Sequence, residues 1–221
     1  MTGKKKIILG ITIGVSSALV LAVLIPFMIF GIRTASIKKS YTYLKDDPVY
    51  SEKKEVAGVE LVKQEISCGY ATIEMMSTFY RSKISEKELS DKNKGAITTS
   101  SSDGFLKELR KSIPEQKFAK YSYLNNDVLL KEICIALSDN RPVALEWAAK
   151  YENEWTLHFS LVTSIDIKND NVTVYNPYGY IENITIDEFI SRTSFEAYKN
   201  IPLFLNFGFA FGAFEKNTIF Y

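Results

Sequence analysis

Gln64, Cys68, His158 and Asn176 have types and spacings that suit acyl chemistry at a thiol. Cys68 follows Ser67, a helix N-cap residue type, and opens a stretch whose Ile73, Met76, Phe79 and Tyr80 recur at helical spacing. Unpaired N–H groups and the dipole at a helix start favour the thiolate, the nucleophilic form, so an unusually acidic thiol is expected. Gly69 lets another segment approach closely. Gln64 stands in the turn before the helix. There its carboxamide N–H, with the backbone N–H of Cys68, suits a developing oxyanion. His158 is the single histidine of the chain and so the one candidate for a step that needs imidazole. Phe159, Leu161 and Val162 place it in a buried strand, where it needs a partner. Asn176 ends the next strand, and its side-chain oxygen would orient one ring nitrogen while the other takes the thiol proton. It falls opposite His158 if the chain reverses near Ile167. The polar Lys168-Asn169-Asp170-Asn171 puts the reversal nearer Asn169, which moves the partner by four or five positions. Asp166 is a poorer partner, about 26 Å along the same extended strand. Taken singly, Cys68 also reads as a small buried hydrophobe and His158 as an ordinary core or surface residue. Their order in the chain carries the chemistry.

The elements that must position these residues fall into two groups. Helices come first: Cys68 to Tyr80; a short helix opened by the capping box Ser85-Glu86-Lys87-Glu88; one with Phe105, Leu106 and Leu109; and one capped by Asn126. The run Thr98–Ser102 reads as a loop feeding a helix N-terminus. Strands follow: Pro142 to Trp147, Leu157 to Ile167 and Val172 to Tyr175, the last two joined by the polar hairpin. Thr185-Ile186-Asp187-Glu188 opens a further helix as a capping box. The fold class is therefore α+β, helices followed by an antiparallel sheet.

Composition narrows the functions further. Two Cys and one His exclude a four-ligand zinc site, a multi-histidine metal site and a disulfide framework. A net charge of +1 gives no field to attract nucleic acid. No cofactor or metal is expected. The charge is unevenly spread: no acidic residue precedes Asp46, and the remainder beyond Lys45 carries a net −6. Between Lys4-Lys5-Lys6 and Arg33, the 26 residues Ile7–Ile32 carry no charge. As a helix they reach about 39 Å, against a bilayer core of about 30 Å. This reads as a single-pass membrane anchor. A cleaved signal peptide or a core helix are the alternatives, but a signal core is shorter, about 7–15 residues. The basic residues flanking the run are nearly balanced. By analogy with uncleaved signals, the N-terminus is expected inside and the domain outside. The organisation is then an anchor over 1–33, a polar linker over 34–57 and a globular domain over 58–221. Cys134, among Ile133, Ile135 and Leu137, reads as core, and Trp147 and Trp155 as packing or cleft-wall residues. The uncharged Phe- and Gly-rich tail 201–214 is expected to pack into the core; a flap over the cleft and a membrane-surface contact are the alternatives.

A nucleophile opening a helix, a later strand His and an Asn ending the next strand match the order of the papain-type arrangement. Gln64-Glu65-Ile66-Ser67-Cys68-Gly69-Tyr70-Ala71 resembles the nucleophile motif of papain-like cysteine peptidases of family thirty-nine. These include bacterial peptidases that remove double-glycine leaders from bacteriocin precursors. His158-Phe159-Ser160-Leu161-Val162 resembles their histidine strand, and Val172-Thr173-Val174-Tyr175-Asn176-Pro177-Tyr178-Gly179 their strand ending in Asp-Pro or Asn-Pro. The resemblance covers roughly Val59 to Ser194. It implies a papain-like fold with Cys68 as nucleophile, His158 as base, Asn176 as orienter and Gln64 as oxyanion donor. Two departures stand out: Gln64 precedes Cys68 by four residues where five or six are usual, and Asn176 replaces the Asp common in leader peptidases. The expected function is a membrane-anchored cysteine peptidase or amidase acting on a peptide or protein through a thioester. A related acyltransferase and an inactive peptide-binding module are the alternatives.

Overall fold

The computed structural model describes the backbone of residues 3–221 and the side chains of residues 20–221. Helix α1 runs over Gly3–Ser36. Among the described residues no helix is long and apolar enough to cross a membrane. Residues 7–19, the first half of the expected span, lie outside the described side chains.

The segment read as a polar linker packs onto the domain. Ile37, Leu44 and Val56 are buried, and a 3₁₀ turn covers Thr42–Lys45. Strand β1 (Lys54–Glu55) joins the sheet, and Lys39 Nζ meets the buried Asp127 carboxylate at 2.8 Å. Three anchoring side chains at irregular intervals leave no period to read in the sequence.

Helix α2 (Cys68–Phe79) starts where Ser67 Oγ accepts the Tyr70 N–H at 3.1 Å. Helix α3 (Glu86–Lys92) has the expected capping box, with Ser85 and Glu88 satisfying each other's backbone N–H. Helix α4 (Ser102–Ser112) is capped by Ser101, and the short β2 covers Lys120–Tyr121. Helix α5 (Asn126–Ser138) corrects one expectation. Asn126 is not its cap; its side-chain oxygen accepts from Asn217 Nδ2 at 3.0 Å instead.

The strands are β3 (Val143–Tyr151), β4 (Glu154–Asp166), β5 (Asn171–Asn176) and β6 (Tyr180–Ile184). Helix α6 (Ile186–Thr193) is capped by Thr185, but Glu188 does not return the bond; it lies toward Arg192 at 3.5 Å. Helix α7 (Leu203–Ala210) and β7 (Thr218–Phe220) complete the chain. All pairings are antiparallel, in the order β2-β7-β3-β4-β5-β6, with β1 on β4 beyond the end of β3.

The strand period of two separates two cores. Ala144 of β3 and Phe159 and Leu161 of β4 face α2, with Tyr70, Ile73 and Met76. Leu145, Trp147 and Val162 face α5 and α6, with Leu130, Ile133 and Phe189. Cys134 is buried in this second core, as expected. The architecture is α+β, with the helical half leaning on an antiparallel sheet.

Candidate active site

The helix start that presents Cys68 is held from outside the helix. The buried Glu86 carboxylate accepts the backbone N–H groups of Glu65 and Ile66, each at 2.8 Å, and of Ser67 at 2.5 Å. The 65–67 loop is thereby clamped onto α3 just before the nucleophile position. Gly69 is needed for close approach: a Cβ there would sit 2.3 Å from Thr99 Oγ1. Tyr70 fixes that neighbouring loop, its hydroxyl donating to the Ala96 carbonyl at 2.7 Å and accepting the Thr98 N–H at 3.1 Å.

On the sheet side, His158 Nε2 lies 2.9 Å from Asn176 Oδ1. The β4–β5 ladder runs Asp166↔Asn171 to Ser164↔Thr173, shifts by one, and continues Val162↔Val174 and Leu161↔Tyr175. Extending it puts Asn176 against Ser160, not His158. The two side chains meet diagonally on one face, a separation long side chains bridge. The reversal falls between the two centres considered from sequence, and Asp166 is spent on the turn, accepting the Asn169 N–H at 3.0 Å.

The orientation of Asn176 is fixed by its other bonds. Its Nδ2 donates to Glu182 Oε1 at 2.6 Å, and a carboxylate only accepts. Its Oδ1 also accepts the Tyr178 N–H at 2.9 Å. His158 Nε2 must therefore carry the hydrogen, which leaves Nδ1 with its lone pair. Behind Asn176, Arg192 reaches Glu182 Oε2 at 2.5 Å, donates from Nε to the Ala148 carbonyl at 2.9 Å and lies 3.6 Å over the Trp147 ring. The Tyr178 ring stacks on His158 with centroids 4.0 Å apart. Gly179, at φ 98°, closes the tight turn that brings Tyr178 back.

The electrostatics correct one sequence expectation. Burial pushes the Cys68 thiol up to about 11; the backbone N–H groups of Phe159, Gly69 and Cys68 itself oppose this, and Glu146 adds to it. Burial lowers His158 to about 3, against the Asn176 hydrogen bond and with help from the Arg192 charge. The helix-start advantage is outweighed by desolvation, so the thiol is not acidic.

Gln64 lines a cleft of about 390 Å³ with Lys63, Glu65, Tyr151, Thr156, Pro177 and Tyr178. Its backbone N–H donates to the Pro177 carbonyl at 2.7 Å, tying the loop before Cys68 to the turn after Asn176. Its side-chain oxygen is buried without a hydrogen-bond partner. So His158 and Asn176 are brought together at 2.9 Å, and Gln64 shares its cleft with Tyr178, the residue stacked on His158. The sequence reading missed Glu86, Glu182, Arg192, Glu146 and a role for Tyr178. Glu86 was visible only as part of a capping box. Glu146 is fully buried opposite Phe159, takes a hydrogen bond from Ser102 Oγ at 2.5 Å and has its second oxygen unpartnered. Burial pushes it up to about 8.

A family profile described as Peptidase_C39 like family matches residues 56–202. None of the curated proteins matches the sequence. Among solved structures, a double glycine motif protease from the AMS/PCAT transporter, crystallised with the leader peptide, shares 16% identity. That match covers 63% of this chain and 91% of the other, with a TM-score of 0.44.

Proposed function

Since the chain belongs to the peptidase C39-like family, we propose that it is a cysteine peptidase that cleaves peptide bonds through Cys68, His158 and Asn176. The observation that carries this reading is the clamped imidazole: a buried ring whose Nε2–H is committed to Asn176 and whose Nδ1 is left as a base. As Cys68 Sγ attacks the substrate carbonyl carbon, its proton passes to His158 Nδ1. The oxyanion that forms is met by the Cys68 backbone N–H and the Gln64 carboxamide. Collapse breaks the C–N bond, His158 protonates the leaving amine, and a thioester remains. Water then attacks the thioester, with His158 taking its proton and returning it to sulfur. The same reading keeps residues 7–32 as a membrane anchor, with the peptidase domain on the outer side. The support is 26 uncharged residues within a single helix.

A thiol-reactive, peptide-like probe tests the nucleophile. Labelling and peptide hydrolysis are expected to vanish in Cys68→Ala and to persist in Cys134→Ala. Labelling that survives in Cys68→Ala and disappears in Cys134→Ala would remove the reading.

A further inference from the structure

Helix α7 contains no charged residue and buries one side only. Leu205 and Phe209 turn inward, Phe209 meeting Phe195 at 4.8 Å between centroids. The other side is open: Leu203 is 71% exposed, Phe204 68% and Phe211 56%. The apolar surface continues onto α1, where Phe27 packs edge-on to Phe207 at 5.2 Å and Phe30 stacks on Phe209 at 5.7 Å. Leu24, Met28 and Ile32 of α1 are themselves exposed. A contiguous two-helix surface of this kind is not the scattering of single apolar residues normal for a protein in water.

The length of the uncharged run says what covers it. Its reach exceeds the bilayer core by about 9 Å, or about six residues. If the helix enters at Ile7, the surplus is Phe27–Ile32, the stretch that carries α7, with Arg33 directly after it. That level is the boundary between acyl chains and headgroups, where an interfacial helix sinks its apolar side about 5–10 Å. We propose that α7 lies in the headgroup boundary of the membrane that α1 enters, with Leu203, Phe204 and Phe211 among the lipid chains. This rests on the anchor reading. It makes the domain a body docked on the lipid surface in one orientation, not one swinging on a leash.

The test is a nitroxide at Phe204→Cys, at Leu24→Cys and at the exposed Lys87→Cys. Each is placed singly in the full chain carrying Cys68→Ser and Cys134→Ser, in phosphatidylcholine–phosphatidylglycerol vesicles. Collision rates with oxygen and with a water-soluble nickel chelate are compared. The oxygen-to-nickel ratio is expected to be several-fold higher at Phe204 than at Lys87, and higher still at Leu24. A lipid-like ratio at Leu24 with a Lys87-like ratio at Phe204 overturns the docking and leaves the anchor standing. A Lys87-like ratio at Leu24 overturns the anchor, and the docking with it. Spin–spin broadening at Phe204 without a raised ratio means that a second copy covers the patch, which also overturns the proposal.

Discussion

Burial acts on Cys68 and on His158, the residues proposed as nucleophile and base, in the direction that neutralises each. The thiol rises to about 11 and the imidazole falls to about 3, so neither is ionised between those values. An ion pair would give a thiolate whose amount is constant across neutral pH. A neutral pair gives one that grows about tenfold per pH unit below the thiol's own value. The rate of Cys68 alkylation by iodoacetamide is therefore expected to climb steadily from pH 6 to pH 9. A flat rate from pH 5 to 8 would show that the pair is ionised at rest. In the proposed turnover the proton would move during attack, and the Nε2–H tautomer set by Asn176 would let Nδ1 accept it at neutral pH.

Local elements were legible where one short stretch determines them. Ser67, Ser85 and Thr185 announced helix starts, because a cap needs only the next three residues. The order of Cys68, His158 and Asn176 singled out two side chains that the fold brings into contact, His158 and Asn176. The supports behind it were not readable, since Glu182, Arg192 and Glu86 gain meaning only through partners on other elements. The diagonal meeting of His158 and Asn176 depends on a shift between Val162 and Ser164 that no turn rule encodes. The strands β1, β2 and β7 are two or three residues long, too short to carry a period. The α3 clamp can be tested at this level. Glu86→Ala removes the acceptor of three N–H groups and should cost about 1–3 kcal/mol in urea unfolding. It should also slow Cys68 labelling, and Glu86→Gln should recover part of both. Unchanged stability and labelling in Glu86→Ala would mean that the loop holds its shape without the clamp.

Across the whole molecule, the N-terminal segment is bound to the domain in stages. Phe27 and Phe30 touch α7, and then Ile37, Leu44 and Val56 enter the core. Truncations should therefore differ in kind. Removing residues 1–19 keeps every one of these contacts and should leave the melting temperature within a few degrees of the full chain. Removing residues 1–57 deletes three buried apolar side chains and the Lys39–Asp127 pair. At about 1.5–3 kcal/mol per buried side chain, that loss is a large share of a typical domain's stability. Thermal melts in the same detergent compare the two. Equal melting temperatures would show that the domain begins after residue 57.

Because the chain has one histidine, every imidazole resonance in its proton spectrum comes from His158. The Nε2 proton is shared with Asn176, and the ring stacks on Tyr178 with centroids 4.0 Å apart, where ring currents displace its signals. Loss of the Asn176 contact alters the first of those surroundings, and a peptide bound as proposed would alter the second. The site thus carries its own spectroscopic reporter, resolvable without isotope labelling or sequence-wide assignment.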